Sequence, residues 1–150
     1  MNANELKTLA ERNRLLNNVL KGVFSSNTLP RTVTSYPSAY ICNTEPSHLP
    51  GAHWIVFWIH SPKYAEFYDS LEKPPQHYDQ SFQSFLERNC EVCVYNNVRL
   101  QSKDSNTCGY HVLFYLWMKC YNHSLLHMIY VLLSSSDPDV YVSDFIKRYF

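Results

Sequence analysis

One cysteine of the chain, Cys108, has the sequence surroundings of a nucleophile. It follows the capping-type residues Asn106 and Thr107, and it opens a long apolar run that predicts a buried helix. At a helix N-terminus, free backbone N–H groups and the positive end of the helix dipole stabilise the thiolate, which is the reactive form of cysteine. The sequence therefore predicts a nucleophilic thiol at position 108.

A base and a carboxylate precede this cysteine at positions that a β-hairpin would bring together. His53 opens HWIVFWIH and Asp69 lies in AEFYDSL, and both segments have the composition of strands. Because antiparallel pairing places the start of one strand beside the end of the next, the two residues are expected to be neighbours. We expect Asp69 to take the Nδ1 proton of His53 and to leave Nε2 for the thiol. The acidic residues that compete for this role are Glu72, Asp79 and Asp104.

Gln101 and Trp54 complete the predicted site. A side-chain amide near the nucleophile can donate to an oxyanion, so Gln101 and the backbone N–H of Cys108 are expected to form an oxyanion hole. Trp54, next to His53, could shield the imidazole from water and narrow the approach to the thiol. The plain alternatives are that Gln101 is a polar group on an edge strand and that Asp69 is a turn residue. A Cys-His-Asp set of this kind predicts a cysteine peptidase.

The remaining cysteines and histidines carry no such signal. Cys90 and Cys93 form a C-x-x-C, but zinc would require a second ligand pair and the alternation in CEVCVY predicts a strand, so we expect no metal site. We expect Cys42 and Cys120 to be small buried hydrophobic residues. The histidines expected to be surface or satisfied core groups are His48, His60, His77, His111, His123 and His127.

The pattern of apolar residues and turn signals predicts an α+β fold in one domain over residues 1–150. In this fold a central sheet is flanked by helices, and one buried helix bears the nucleophile. The stretch 24–51 contains four prolines and predicts a loop with one short strand. The predicted helices cover residues 2–20, 78–89, 108–120 and 124–133, with a short terminal helix near Pro138. The predicted strands cover residues 38–42, 53–60, 65–71 and 90–96, and a last one, after an Asn-Asn turn, over residues 96–101 that Gln101 ends.

The composition excludes several classes of function. Thirteen basic and thirteen acidic side chains cancel, and no basic run exceeds two residues, so a strong DNA-binding or membrane-surface footprint is not expected. The longest apolar run, residues 112–118, is too short to cross a bilayer, and the N-terminus lacks the apolar core of a signal peptide. Five cysteines without a disulfide-like spacing predict a soluble protein of a reducing intracellular compartment.

Four segments of the chain, NTEPSHLPGAHWIVFWI, FYDSLEKPP, YNNVRLQ and SNTCGYHVLFYL, follow one another in this order. Together they contain a His-Trp pair, an acid about one hairpin later, and a Gln seven residues before Cys-Gly. In these features the chain resembles the adenovirus-type (adenain-like) cysteine proteases, particularly those of Polinton/Maverick elements and adenovirus-like viruses. The resemblance implies catalytic His53, Asp69 and Cys108, an oxyanion hole with Gln101, and a papain-like fold with its chain order rearranged. SUMO-specific proteases share this arrangement and also use Asp, whereas adenovirus relatives commonly use Glu.

The resemblance also implies substrates, partners and location. It implies an endopeptidase that needs no cofactor for its chemistry and cleaves precursor polypeptides, viral structural proteins among them, during virion maturation in the host nucleus and the virion. Adenovirus relatives are activated by DNA and by a disulfide-linked peptide, and Cys90 is similar in placement to the cysteine that binds this peptide. Trp54, as the wall of a narrow channel, would require glycine just before the cleaved bond.

Two other functions stay open on the sequence. The first is a peptidase specific for SUMO or another ubiquitin-like modifier, which would perform the same chemistry on a folded substrate. The second is a catalytically inactive binding module that retains the groove. Cleavage of a modifier conjugate distinguishes the first, and a Cys108 thiol that does not react with a substrate-like electrophile distinguishes the second.

Overall fold

A five-stranded mixed sheet with helices on both faces organises the chain in the computed structural model, which describes residues 1–150. This architecture confirms the predicted α+β class and the buried helix that begins at Cys108. The strands β1 to β5 are, in chain order, Leu20–Phe24, Ser38–Asn43, Trp54–Ile59, Tyr64–Tyr68 and Val92–Tyr95. The helices α1 to α6 are Ala3–Arg12, Arg14–Val19, Gln80–Asn89, Cys108–Cys120, Leu125–Leu133 and Pro138–Tyr149, and a 3-10 turn covers Pro75–His77.

The strands lie in the sheet in the order in which they occur in the chain. The outer pairs, β1 with β2 and β4 with β5, are parallel, whereas β2, β3 and β4 pair antiparallel. The predicted hairpin is confirmed: β3 pairs with β4 so that Val56 lies opposite Tyr68 and Ile59 opposite Ala65. Extended beyond the strand ends, this register places His53 and Asp69 diagonally across the hairpin on one face of the sheet, where their side chains meet.

The sheet separates two apolar cores because side chains of a strand alternate between its faces. From β3, Val56 and Trp58 point to a larger core that includes α1, α2 and α4 to α6. Phe57 points to the opposite face, where its ring centroid lies 5.3 Å from Phe82 and 5.1 Å from Phe85 of α3. Burial on both faces explains why the β3 sequence is a continuous apolar run.

The first predicted helix is wrong in its length, because it is two helices followed by a strand. Asn2 and Glu5 form the capping box of α1, as the sequence indicates. Asn13 ends α1 in an extended conformation, and its side chain accepts the N–H groups of Leu15 and Leu16 to begin α2. Leu20 then starts β1. Both short helices still bury apolar residues in the larger core, Leu6 and Ala10 from α1 and Leu16 from α2, which is why the stripe resembles a single helix.

The predicted strand over residues 96–101 is also absent. Asn96 donates from Nδ2 to the carbonyls of Asp69 and Val98, and the N–H groups of Leu100 and Gln101 both bind the carbonyl of Ser70. The Val98 carbonyl is thus bound by a side chain, and the Leu100 and Gln101 N–H groups share one carbonyl, instead of forming the regular ladder of a strand. Helices α3, α4 and α5 and strands β2 and β5 confirm their predictions, while α6 is longer than expected at 12 residues. None of the helices combines the length and the apolar character that a membrane span requires.

Candidate active site

His53 and Asp69 meet at the end of the β3–β4 hairpin. Nε2 of His53 lies 2.6 Å from Oδ1 of Asp69, and both side chains are buried. Oδ1 of Asp69 also accepts the N–H of Leu71, and Oδ2 accepts the hydroxyl of Tyr78 at 2.5 Å. The structure therefore brings this predicted pair together, and it holds the carboxylate in a fixed orientation toward the ring.

The orientation of the imidazole is opposite to the one expected from the sequence. Asp69 binds Nε2, so that Nδ1 is the ring nitrogen left to serve Cys108. The thiol of Cys108 interacts both with the His53 ring and with the backbone N–H of Trp54. The thiol therefore lies beside the peptide bond between His53 and Trp54. Of the two ring nitrogens of His53, Nδ1 is the one nearer to this peptide bond, so Nδ1 is the nitrogen that faces the thiol. The expected pairing of Asp69 with Nδ1 is therefore wrong.

The pair of Cys108 and His53 favours charge separation. Burial raises the pKa of the Cys108 thiol, but hydrogen bonding to His53 and to the Trp54 and Gly109 N–H groups, together with the charge of His53, holds that pKa below its ordinary value. For His53, burial lowers the pKa, yet the hydrogen bonds and charges of Asp69 and Cys108 raise it to about 9. The two shifts are opposite in sign and both favour the charged pair of thiolate and imidazolium over the neutral pair.

Gln101 is buried near the thiol, although no strand carries it. Its Oε1 accepts the hydroxyl of Ser70 at 2.6 Å. Its Nε2 donates to the carbonyl of Ser105 at 2.9 Å. Because a primary amide has two N–H groups, one remains for another acceptor. Gln101 and Cys108 line the same cleft.

The turn at residues 69–72 joins the two halves of the site, and the sequence does not reveal its supporting residues. Asn96 holds this turn through both backbone groups of Asp69, at 3.1 Å to the N–H and 2.7 Å to the carbonyl. Ser70 orients Gln101, and Tyr78 orients Asp69. An Asn that follows a strand and a Tyr that follows a proline-rich turn are ordinary residues, so only their contacts assign them to the site.

The cleft over Cys108 has a volume of about 860 Å³. Trp54 lines it, and its Nε1 donates to the carbonyl of Met1 at 2.9 Å, so the N-terminal end of α1 forms part of the wall. The loop 44–52 forms another part of the wall. Asn43 holds this loop, since its Oδ1 accepts the N–H groups of Glu45 and Ala52.

Cys90 lies away from this cleft. It ends α3, its thiol donates to the carbonyl of Leu86, and burial raises its pKa. It lines a second cavity, of about 320 Å³, together with Cys93 and Tyr95 at the edge strand β5. All five cysteines are free thiols. No group of three or more His, Cys, Asp or Glu side chains is arranged to hold a metal ion.

The site can activate a thiol for attack on a carbonyl carbon. It contains a thiol of lowered pKa at a helix N-terminus, an imidazole whose pKa is raised to about 9, a carboxylate that orients the ring, and a buried amide donor. These are the components of nucleophilic acyl transfer.

No protein-family model matches the chain, and no curated protein matches it either. Among solved structures, the chain is similar to the crystal structure of the selenomethionine form of the ASFV pS273R protease, with 23% sequence identity and a TM-score of 0.48. The match covers 75% of this chain and 44% of that protease, so the chain spans less than half the length of the protein it matches.

Proposed function

We propose that this chain is a cysteine endopeptidase in which Cys108 is the nucleophile and His53 the acid and base. The observation that carries the proposal is the arrangement of Asp69, His53 and Cys108, in which the thiol pKa is lowered and the imidazole pKa is raised to about 9. A buried structural cysteine without a cationic partner has a raised pKa instead, as Cys42 does.

Acylation begins when the Cys108 thiolate attacks the carbonyl carbon of the scissile peptide bond. The negative charge moves to the carbonyl oxygen, where the second Nε2–H of Gln101 and the backbone N–H of Cys108 donate to it. The imidazolium of His53 then gives its Nδ1 proton to the leaving amine. The C–N bond breaks, and a thioester remains on Cys108.

Deacylation uses the same groups in the reverse direction. Nδ1 of His53, now neutral, takes a proton from a water molecule that attacks the thioester carbon. The C–S bond breaks, the carboxylic acid product leaves, and the proton on His53 restores the ion pair with the Cys108 thiolate. Asp69 keeps the ring in place through Nε2 and stabilises its charged form throughout.

The proposed substrates are precursor polypeptides of a virus or mobile element, including structural proteins that mature in the virion. The resemblance of the chain to adenain-like proteases supports this part of the proposal. Trp54 lines the cleft beside His53, so a side chain just before the cleaved bond would clash with the indole, and we propose glycine at one or both positions there. We also propose that an activating peptide binds near Cys90, in the cavity at the edge strand β5.

The test is a peptide probe that ends in Gly-Gly and carries an electrophile, applied to the wild type and to Cys108→Ala. The wild type is expected to be labelled on Cys108 and Cys108→Ala is not, while Cys120→Ala serves as a control that keeps its reactivity. A wild type that reacts no faster than Cys108→Ala contradicts the proposal and favours an inactive binding module.

A library of peptides then tests specificity. The wild type is expected to cleave after glycine, and Trp54→Ala to accept larger residues there. Equal acceptance of large residues by the wild type contradicts the role of the indole. Efficient cleavage of SUMO or ubiquitin conjugates, without cleavage of unfolded precursors, favours the modifier-specific peptidase.

A further inference from the structure

We infer that Asp139, in the first turn of α6, is a positioning residue that holds the proposed side-chain oxyanion donor, Gln101, in place. The inference rests on the proposed function, because it concerns the same site. Asp139 does not line the cleft, so it acts through other residues rather than on substrate.

One carboxylate of α6 binds three donors around the segment 101–108. Oδ2 of Asp139 accepts the backbone N–H of Ser102 at 3.0 Å. Oδ1 accepts the hydroxyl of Thr107 at 2.6 Å and Nε2–H of His111 at 2.8 Å. Ser102 directly follows the proposed oxyanion donor Gln101, and Thr107 directly precedes the nucleophile. Asp139 therefore holds both ends of the segment that connects the two.

Hydrogen bonds inside this segment connect Ser102 and Thr107 to the Gln101 amide through Ser105. Ser105 donates its N–H to the carbonyl of Ser102 at 3.1 Å, and its hydroxyl is 2.5 Å from that of Thr107. The carbonyl of Ser105 in turn accepts Nε2 of Gln101. A shift of Ser102 or Thr107 would thus move the acceptor that orients the proposed oxyanion donor.

The protonation states agree with this hydrogen-bond pattern. Burial lowers the pKa of His111, so the ring is neutral and can donate from Nε2 to Asp139 while Nδ1 faces the hydroxyl of Tyr68 at 3.4 Å. Burial raises the pKa of Asp139, but its three donors hold the pKa below the ordinary value. The acceptor is therefore an ionised carboxylate, which forms stronger hydrogen bonds than a neutral amide oxygen does.

Helix α6 provides a rigid base for Asp139. Val142 and Ile146 are buried in the larger core, and the ring of Phe145 packs against Phe114 of α4 at 5.0 Å. Asp137 caps α6 through the N–H groups of Asp139 and Val140, but it makes no hydrogen bond to the segment 101–108. Asp137 is therefore a matched control for changes at the start of α6.

The test compares Asp139→Asn with Asp137→Asn in the full chain, and measures kcat, KM, the rate of Cys108 alkylation by iodoacetamide, and Tm. For Asp139→Asn we expect kcat to fall on the order of 10-fold or more, because small displacements of catalytic donors are costly. KM and the alkylation rate, which do not require the oxyanion donors, should stay within about 3-fold. Asp137→Asn should keep kcat within about 3-fold even if its Tm is lower.

A second variant is available if Asp139→Asn does not fold. Thr107→Val removes one donor to the Asp139 carboxylate, and it should show the same selective loss of kcat.

A double-mutant cycle with Gln101→Ala decides between positioning and general destabilisation. If Asp139 acts through Gln101, Asp139→Asn should lower kcat by less than about 3-fold in the Gln101→Ala background. Equal losses in both backgrounds, an unchanged kcat in Asp139→Asn, or an equal loss in Asp137→Asn would each overturn the inference. A wild type that cleaves no peptide would overturn the proposed function and this inference with it, whereas an active wild type leaves the function intact whatever Asp139 does.

Discussion

At the scale of single residues, the proposed mechanism depends on which ring nitrogen of His53 serves Cys108. This nitrogen is Nδ1, because Asp69 binds Nε2. The sequence indicates which residue types can react, because a cysteine at a helix start and a histidine at a strand start have recognisable neighbours. It cannot indicate the ring orientation, which depends on the direction from which Asp69 and Cys108 approach. Tyr78 and Ser70 reach the site through tertiary contacts only, so no local pattern identifies them.

Alkylation kinetics should identify Cys108 as the most reactive thiol. Its pKa lies below the ordinary value, whereas burial raises the pKa of the other four cysteines. Iodoacetamide at pH 6 is therefore expected to label Cys108 first, and His53→Ala should slow this labelling because the charge that stabilises the thiolate is lost. Mass spectrometry after limited labelling checks the order. Equal labelling of another cysteine in the folded protein would contradict the assignment.

The same ion pair predicts the alkaline limit of activity. The folded-state pKa of His53 is raised to about 9, so the imidazolium needed to protonate the leaving amine persists up to that pH and is lost above it. We expect kcat/KM to decrease as the pH rises through about 9. A pH–rate profile checks this, and a decrease already centred near pH 6.5, the ordinary value for histidine, would show that Asp69 and Cys108 do not hold the proton.

Removing the amide of Gln101 should affect the chemical step. Gln101→Ala deletes one proposed oxyanion donor, for which a loss in kcat on the order of 10²-fold is typical, while KM should change less. Gln80→Ala, an exposed change at the start of α3 that lines neither the cleft nor the cavity near Cys90, is the control. Steady-state kinetics on a cleaved peptide measures both parameters, and an unchanged kcat would mean that Gln101 has only a structural role.

Asp69 and Asp79 are both candidates for the carboxylate that orients His53, and the same Asp→Asn substitution at each position distinguishes them. Asp69→Asn should lower kcat, yet by less than Cys108→Ala or His53→Ala, because the carboxylate orients the base and takes no part in bond formation. Asp79 instead caps α3 by accepting the N–H of Ser81, and Asn caps helices equally well, so Asp79→Asn should be close to wild type. Full activity in Asp69→Asn, together with loss of activity in Asp79→Asn, would show that Asp79 and not Asp69 orients the base.

At the scale of secondary-structure elements, the sequence predicts the elements that pair with their neighbours in the chain. It misses those that pair with a segment further away. The hairpin that contains β3 and β4 is predictable because one short turn joins two strongly patterned strands. Strand β1 is not, since it pairs in parallel with a strand about 18 residues later and shows no alternating burial. Residues 96–101 resemble a strand in composition, but the Asn96 side chain binds the Val98 carbonyl, and the Ser70 carbonyl accepts the N–H groups of Leu100 and Gln101.

The loop 44–52 gives an element-scale prediction. Gly51 has a φ of 89°, and an added Cβ would lie 2.8 Å from Nδ2 of Asn43, which holds the loop. Gly51→Ala is expected to destabilise the fold by about 1–3 kcal/mol and to raise KM, because this loop lines the cleft. His48→Ala, an exposed change in the same loop, is the control. Thermal unfolding and KM together check the prediction, and an unchanged Tm in Gly51→Ala would contradict it.

At the scale of the whole molecule, charge limits the partners. Thirteen basic side chains balance thirteen acidic ones, so few counterions would be released on binding to DNA. We expect duplex DNA at physiological salt to change kcat/KM by less than about 2-fold, since strong binding requires several phosphate contacts. A titration of activity with DNA at 50 and 150 mM salt measures the effect, and strong stimulation that disappears at higher salt would contradict it.

The contact between Trp54 and the carbonyl of Met1 determines where an affinity tag belongs. Met1 lies in the wall of the cleft, so a tag fused ahead of it would emerge beside Cys108 and compete with substrate. The carbonyl of Phe150 instead lies near the side chain of Arg12, at the far end of α1, roughly 14 Å along the helix axis from Ala3. A C-terminal tag therefore leaves the cleft open, and purification through an N-terminal tag would require its removal before any assay.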